Sequence, residues 1–450
     1  MSNFSDYIKD SGTVTTHIAD SDKHREINDG GVGSTDLWSA QKIDSVSGTL
    51  QSAIDGKSNS SHLHDDRYYT ETEIDTKIDG VIKQNLLSNS GFGVWSNSTL
   101  ENVRALPDAT STVVGTTVTS TAHVLTAGML VKDAAGTPLV FKVISITDVD
   151  TFEVDRTGGT NGQWYEVTPG CVAADELACD GWFKDTNLDV WRQHDDTTYT
   201  KYGSFYSLKV VSAATEAQIV KINPTDSIWL SRVQGRTLTI GAWCYASDAS
   251  HLKLEIYNGS SYDTSSYHTG GSSWEWLEVT SDVATDCSTG KVGFRFMLSG
   301  KTVYISQPML VFGSSIGEGN YNQPFGEWVD CEKKIDFSGS PFGAGLSDGA
   351  SDENLETLSN GKIPKGCKGI KCRLQASDSG SAGSPDCSVV LQSASLAADA
   401  VVVYLEGVTN SRYRSDTGIL YGNNGEIYLL RNASGAGTLN AYLSIYQVII

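Results

Sequence analysis

The 450-residue sequence is short of basic charge, of cysteine, of proline and of long apolar runs. Lysine and arginine total 33 against 54 aspartates and glutamates, giving a net charge of −21. Nucleic acid and anionic membranes both reward basic surface, so neither is expected as a partner. With no run of 18 apolar residues, no membrane insertion is expected. The opening MSNFSDYIKDSG lacks the basic start and apolar core of a secretory signal. Eight cysteines are too thinly spread for a disulfide framework. They are expected to be free, packed thiols, and Cys367 with Cys372 is too little for zinc.

The chemistry of an enzyme is also missing. No phosphate-binding loop, dinucleotide fingerprint, zinc-protease helix or calcium-hand loop occurs. Gly313, Ser315 and Gly317 spell G-x-S-x-G, but in a Ser/Gly-rich exit from a strand rather than at a strand–turn–helix elbow. Glu275 and Glu278 are the pair of carboxylates that a glycosidase would need, yet positions i and i+3 of a strand face opposite ways. No repeat of 20–30 residues runs through the chain, so the long parallel β-helix of a depolymerase is not expected. The expectation is a protein that is not an enzyme.

What is present is 45 glycines among many serines and threonines, with short alternating runs of apolar residues. That composition indicates a mainly β protein with many tight turns. Residues 1–85 differ from the rest. They hold too few large aliphatic residues to bury a core of their own. Two helical stripes stand out: Trp38 or Leu37, Ile43, Val46, Leu50 and Ile54, then Ile74, Ile78, Val81 or Ile82, and Leu86. Thr70 to Glu73 matches a capping box that opens the second. Both have the spacing of a coiled-coil seam and are marginal alone, so partner chains are expected.

The phrases TVTTHIADSDKHREINDGG, STDLWSAQKID and SHLHDDRYYTETEID resemble segments of tail-fibre proteins of tailed bacteriophages. The resemblance covers about the first 85 residues. It implies an elongated parallel homotrimer, carried on the virion, made in the host bacterial cytoplasm and attached through its N-terminus to a baseplate or a proximal fibre protein. In an extended strand, His62 and His64 at i and i+2 would point to one side. Three chains around an axis would then offer six imidazoles, a set that suits one iron or nickel ion per trimer. The alternative is packing around the axis, with Asp65 and Asp66 paired to Arg67 of a neighbour.

QNLLSNSGFGVW resembles the opening strand of jelly-roll carbohydrate-binding modules, and the resemblance continues loosely to residue 318. Residues 86–318 are therefore expected to form a jelly-roll β-sandwich. A small β-barrel is expected to be inserted at 106–168, where a surface loop tolerates it. Sugar binding needs exposed aromatic faces among polar groups, and Tyr257, Tyr262, Tyr267 and Trp274 gather in EIYNGSSYDTSSYHTGGSSWEW. Trp243 and Trp276 are expected in the core. Asp-rich loops are a place for structural calcium. Residues 319–450 read as a terminal β-knob, with an Asn-Gly hairpin signal in YGNNGEIYLL.

The resulting expectation is a tail-fibre receptor-binding protein that attaches a virion to a host surface glycan, lipopolysaccharide or capsule, through a trimeric tip. The alternatives are a tailspike-like depolymerase with an intersubunit active site, a fibre of a tailocin or contractile injection system, and a bacterial extracellular adhesin.

Overall fold

A computed structural model describes residues 40–58 and 84–450, except 137–138, 173–175, 195–197, 221–226, 324–325, 384–385, 394–399, 423 and 436. The chain divides into two units, residues 1–78 and 79–450. In the first, the described element is the helix Ala40–Ser58. Of its stripe, Ile43 is 53% and Leu50 62% exposed, with Val46 half-buried between them.

The second unit is mainly antiparallel β-sheet. In its middle two sheets face each other. One runs Ser273–Asp282, Thr237–Ala246, Lys301–Phe312, Ser207–Ser212, Leu188–Gln193. The other runs Tyr262–Thr264, Leu252–Tyr257, Val292–Phe296, Ala217–Val220, Phe183–Lys184. The chain crosses between them at most connections, as in a jelly roll. Alternation decides which residues meet inside. Leu238, Ile240, Ala242 and Cys244 of one strand join Leu252, Leu254, Ile256, Phe294 and Phe296 of the facing sheet in one core.

The N-L-L-x-N motif at the start of this domain is a set of side-chain clamps. Asn85 donates to the Pro308 carbonyl and accepts from the Leu310 amide, so the segment lies along Lys301–Phe312. Asn89, at φ 49°, accepts from the Gly93 and Val94 amides and donates to the carbonyls of Val94 and Asp180. A short polar side chain tolerates that left-handed backbone and satisfies the buried turn at once.

The segment that follows leaves and returns through a paired ribbon, Thr99–Ala105 against Trp164–Cys171. It builds its own core from Val118, Val131, Phe141, Val143, Phe152 and Trp164 among others. Its sheet is continuous with the larger sandwich sheet, because Gly170 pairs with Trp191 and Cys171 with Val190.

Beyond residue 326 a second pair of sheets encloses another core. The last strand, Leu439–Ile449, lies between Trp328–Phe337 and Gly369–Asp378 of the same chain. The strand is central to its own sheet. The Asn-Gly signal resolves differently. Asn424 and Gly425 do take positive φ, 57° and 83°. The arms on either side, Arg414–Tyr421 and Glu426–Asn432, belong to different sheets. A left-handed turn reverses the chain, but burial demands on each arm decide its partner.

Buried polar groups join the domains of this unit. Asn354 caps the short helix Leu355–Leu358, which presents Glu356. The Glu356 carboxylate, 2% exposed, meets Arg192 at 3.1 Å and Lys142 at 2.8 Å. It therefore ties the C-terminal domain to the sandwich and to the inserted segment. Asp180 accepts from the Ser96 amide and hydroxyl and, at 2.6 Å, from the Glu332 amide. All eight cysteines are unpaired, and Cys331 alone is not fully buried.

Candidate functional site

The site starts from a register. Trp274 pairs with Tyr245, Tyr245 with Tyr304, Tyr304 with Lys209, and Lys209 with Trp191. These five side chains form a row across five strands, on the face turned away from the sandwich core. Four interstrand steps of about 4.8 Å make the row about 19 Å long. Beside it Trp276 pairs with Trp243, their rings 5.8 Å apart at 68°.

Small residues on the inner face allow this outer one. Ala242, Cys244 and Ala246 face the core, while Trp243 and Tyr245 between them point outward. Trp276 packs against Met309, Val311 and Ile316, a separate cluster on that outer side. Of the two tryptophans expected in the core, Trp243 is buried and Trp276 half-buried, both on the face opposite the sandwich core. The alternation was legible in the sequence, but which face the second sheet covers was not.

The loop 198–206 lies over the middle of the row. Tyr199 stacks on Tyr304 with 4.1 Å between centroids and 12° between planes. The Trp274 indole N–H donates to the Thr198 carbonyl at 3.0 Å. Lys201 Nζ stands 3.3 Å from the centre of the Trp243 ring. Desolvation there lowers the Lys201 pKa, partly offset by Glu318.

The Trp191 end is open. A Cβ on Gly170 would come within 2.5 Å of Trp191 Cδ1, so only glycine lets the indole lie flat along the neighbouring strand. Lys209 Nζ is 5.3 Å from that ring's centre. A cavity of about 110 Å³ opens here, lined by Trp191, Gln193, His194, Lys209, Asn102 and Thr168 among others. An aromatic face can stack on the apolar side of a pyranose ring, while amide, imidazole and ammonium groups hydrogen-bond hydroxyls.

The four residues singled out by sequence are divided between the two outer faces. Tyr257 and Tyr262 are cross-strand partners on the five-stranded sheet, rings 5.1 Å apart. The Tyr257 hydroxyl donates to the Gly259 carbonyl, and Arg295 lies 5.0 Å from the Tyr262 ring centre. Tyr267 is 39% exposed beneath Lys253. Trp274 belongs to the other sheet, in the row above. Nearby, Glu255 is buried between Arg295 and Gln218; burial raises its pKa and the Arg295 contact opposes that rise.

Missed were Tyr199, Tyr245, Tyr304, Lys209 and Trp191. The available signal was aromatic pairs at i and i+2, W-C-Y and W-E-W, separated by residues able to face a core. Glu275 and Glu278 do face opposite sides, and Glu278 is engaged by the Trp276 indole and the amides of Ile316 and Gly317. The G-x-S-x-G stretch thus supplies a carboxylate seat. His62 and His64 lie outside the described residues. Among the described residues no cluster of three or more histidine, cysteine or acidic side chains is placed to hold a metal, and no helix is long and apolar enough to cross a membrane.

No family model and no curated protein matches the chain. Among solved structures it is similar to the C-terminal family 22 carbohydrate binding module of Clostridium thermocellum Xyn10B. The identity is 18% and the TM-score 0.25, over 31% of this chain and 89% of that one. The CBM22-1 xylan-binding domain of Paenibacillus barcinonensis Xyn10C gives 12% and 0.24, over 30% and 87%. The enzymatically active domain of bacteriophage CBA120 tailspike protein 4 gives 9% and 0.23, over 30% and 19%. At these TM-scores nothing further is drawn from the likenesses.

Proposed function

We propose that the chain is a bacteriophage tail-fibre receptor-binding protein that attaches its particle, as a homotrimer, to a bacterial surface glycan without cleaving it. One observation carries the glycan reading: the row Trp274, Tyr245, Tyr304, Lys209, Trp191 on an outer sheet face, open at Trp191 beside a small polar-rimmed cavity. The loop 198–206 covers the middle of the row, so the part open to a sugar is the Trp191 end. The fibre reading is supported by the three phrases in the first 85 residues and by the exposed Ile43–Val46–Leu50 stripe, which calls for copies of itself. Three weak sites on one trimer multiply into a firm attachment.

The test is binding of the full chain to a panel of purified lipopolysaccharides and capsules, with Trp191→Ala as the paired variant. Retained thermal stability with at least a tenfold loss of binding is the expected result. Equal binding by both proteins would remove the row from the reading. New reducing or unsaturated ends in the incubated glycan would replace attachment by depolymerisation.

A further inference from the structure

A cleft of about 310 Å³ lies apart from the aromatic row, between residues 91–93, the tip of the 198–206 loop and the stretch Pro364–Lys368. One wall is the Phe205 ring, 71% exposed to solvent. Glycines line the backbone side. A Cβ at Gly93 would come within 3.2 Å of Pro364, and one at Gly91 within 3.2 Å of the Gln323 amide. Gly366 has φ +72° and lies against Asn424. Side chains there would narrow the cleft or crowd its rim.

The charge of this cleft is opposite to that of the molecule. In a chain of net charge −21, its lining carries Lys365 and Lys368, no aspartate or glutamate side chain, and one negative group, the terminal carboxylate of Ile450. Both lysines are exposed at the rim. A concave site with an excess of one sign focuses potential on an ion of the other. Gln323 and Asn424 add amides that donate and accept. An exposed ring, two amides and two ammonium groups around a narrow opening match one ligand chemistry. The ring takes an apolar sugar face, the amides take hydroxyls and the lysines take an anion.

We propose that this cleft binds a short acidic saccharide, a sugar unit bearing a carboxylate or a phosphate. It stands independently of the Trp191 site, because the two share no lining residue. Phe205 is positioned by the loop that Tyr199 and Lys201 anchor on the row.

The experiment is calorimetric titration of the full chain with digalacturonic acid, glucose 6-phosphate and neutral maltose. The same probes are applied to Lys365→Gln/Lys368→Gln, Phe205→Ala and Trp191→Ala. At least one acidic probe should bind more tightly than maltose, and the double lysine variant should weaken it at least tenfold. Phe205→Ala should weaken it as well, and Trp191→Ala should leave it unchanged. Binding of the uronate alone, of the phosphate alone or of both tells which anion is read, and each supports the proposal. Binding of neither, equal binding of maltose, or indifference to the lysine pair would overturn it. Loss in Trp191→Ala would assign the binding to the row instead. All substituted positions carry exposed or half-exposed side chains, and unchanged unfolding midpoints establish that the variants are folded.

Discussion

Tyr199 lies flat on Tyr304, 4.1 Å from centroid to centroid, and this stack pins the loop 198–206 to the centre of the aromatic row. An aromatic pair of this kind contributes about 0.5–1.5 kcal/mol beyond its burial. Tyr199→Ala should therefore release the loop while scarcely moving the global unfolding midpoint. Limited proteolysis reads this directly, with cleavage within 198–206 accelerated severalfold over the parent chain. An unchanged cleavage rate would mean that Trp274 and Lys201 hold the loop without the stack.

The Glu356 carboxylate pairs with the fully buried Arg192 guanidinium. Removing one partner of a buried pair strands the other and costs about 3–5 kcal/mol. Glu356→Gln should lower stability to urea by that order. Lys334→Met, which removes the pair between Lys334 and Asp336 where both side chains are about half exposed, should cost under ~1 kcal/mol. If the two variants lose comparable stability, the junction is not held by this charge.

Asp180 gives a pH dependence of definite sign. Burial raises its pKa above the ordinary carboxylate value, against the opposing hydrogen bonds from Ser96 and Glu332. The folded state keeps the proton where the unfolded state has lost it, so this contribution is full in acid and is lost as pH rises through the raised pKa. Asp180→Asn cannot titrate. The stability of the parent chain relative to this variant should fall from the carboxylate range towards neutrality. A flat or rising difference in urea midpoints would contradict the burial effect.

On the helix Ala40–Ser58, replacing exposed Ile43 and Leu50 by aspartate should leave the sandwich domains folded and abolish association. Light scattering separates the outcomes: three times the 48.3 kDa chain mass for the parent, and a single chain mass for the variant. The trimer sample is also the one to analyse for metal. About one iron or nickel ion per three chains, lost in His62→Ala/His64→Ala, is the expected result if the histidines ligate an axial ion.

Much of the architecture follows from local pattern. The alternation in TLTIGAWCYA and KLEIY makes strands, and Asn89 of NLLSN closes a turn through the nearby Gly93 and Val94 amides. Scarce cysteine and missing catalytic motifs narrowed the chemistry without any coordinates. Period-two alternation says that two faces exist but does not say which one is covered. Tyr245 in the row, and Trp243 and Trp276 beside it, therefore became outer-face residues only when a second sheet packed on Ala242 and Cys244. Register across strands far apart in sequence aligned Trp274 with Trp191, and chain crossing sent the arms of an Asn-Gly turn to different sheets. Strand type is a property of neighbours along the chain. A binding surface depends on contacts between distant segments, whose partners are selected only when the whole core is buried.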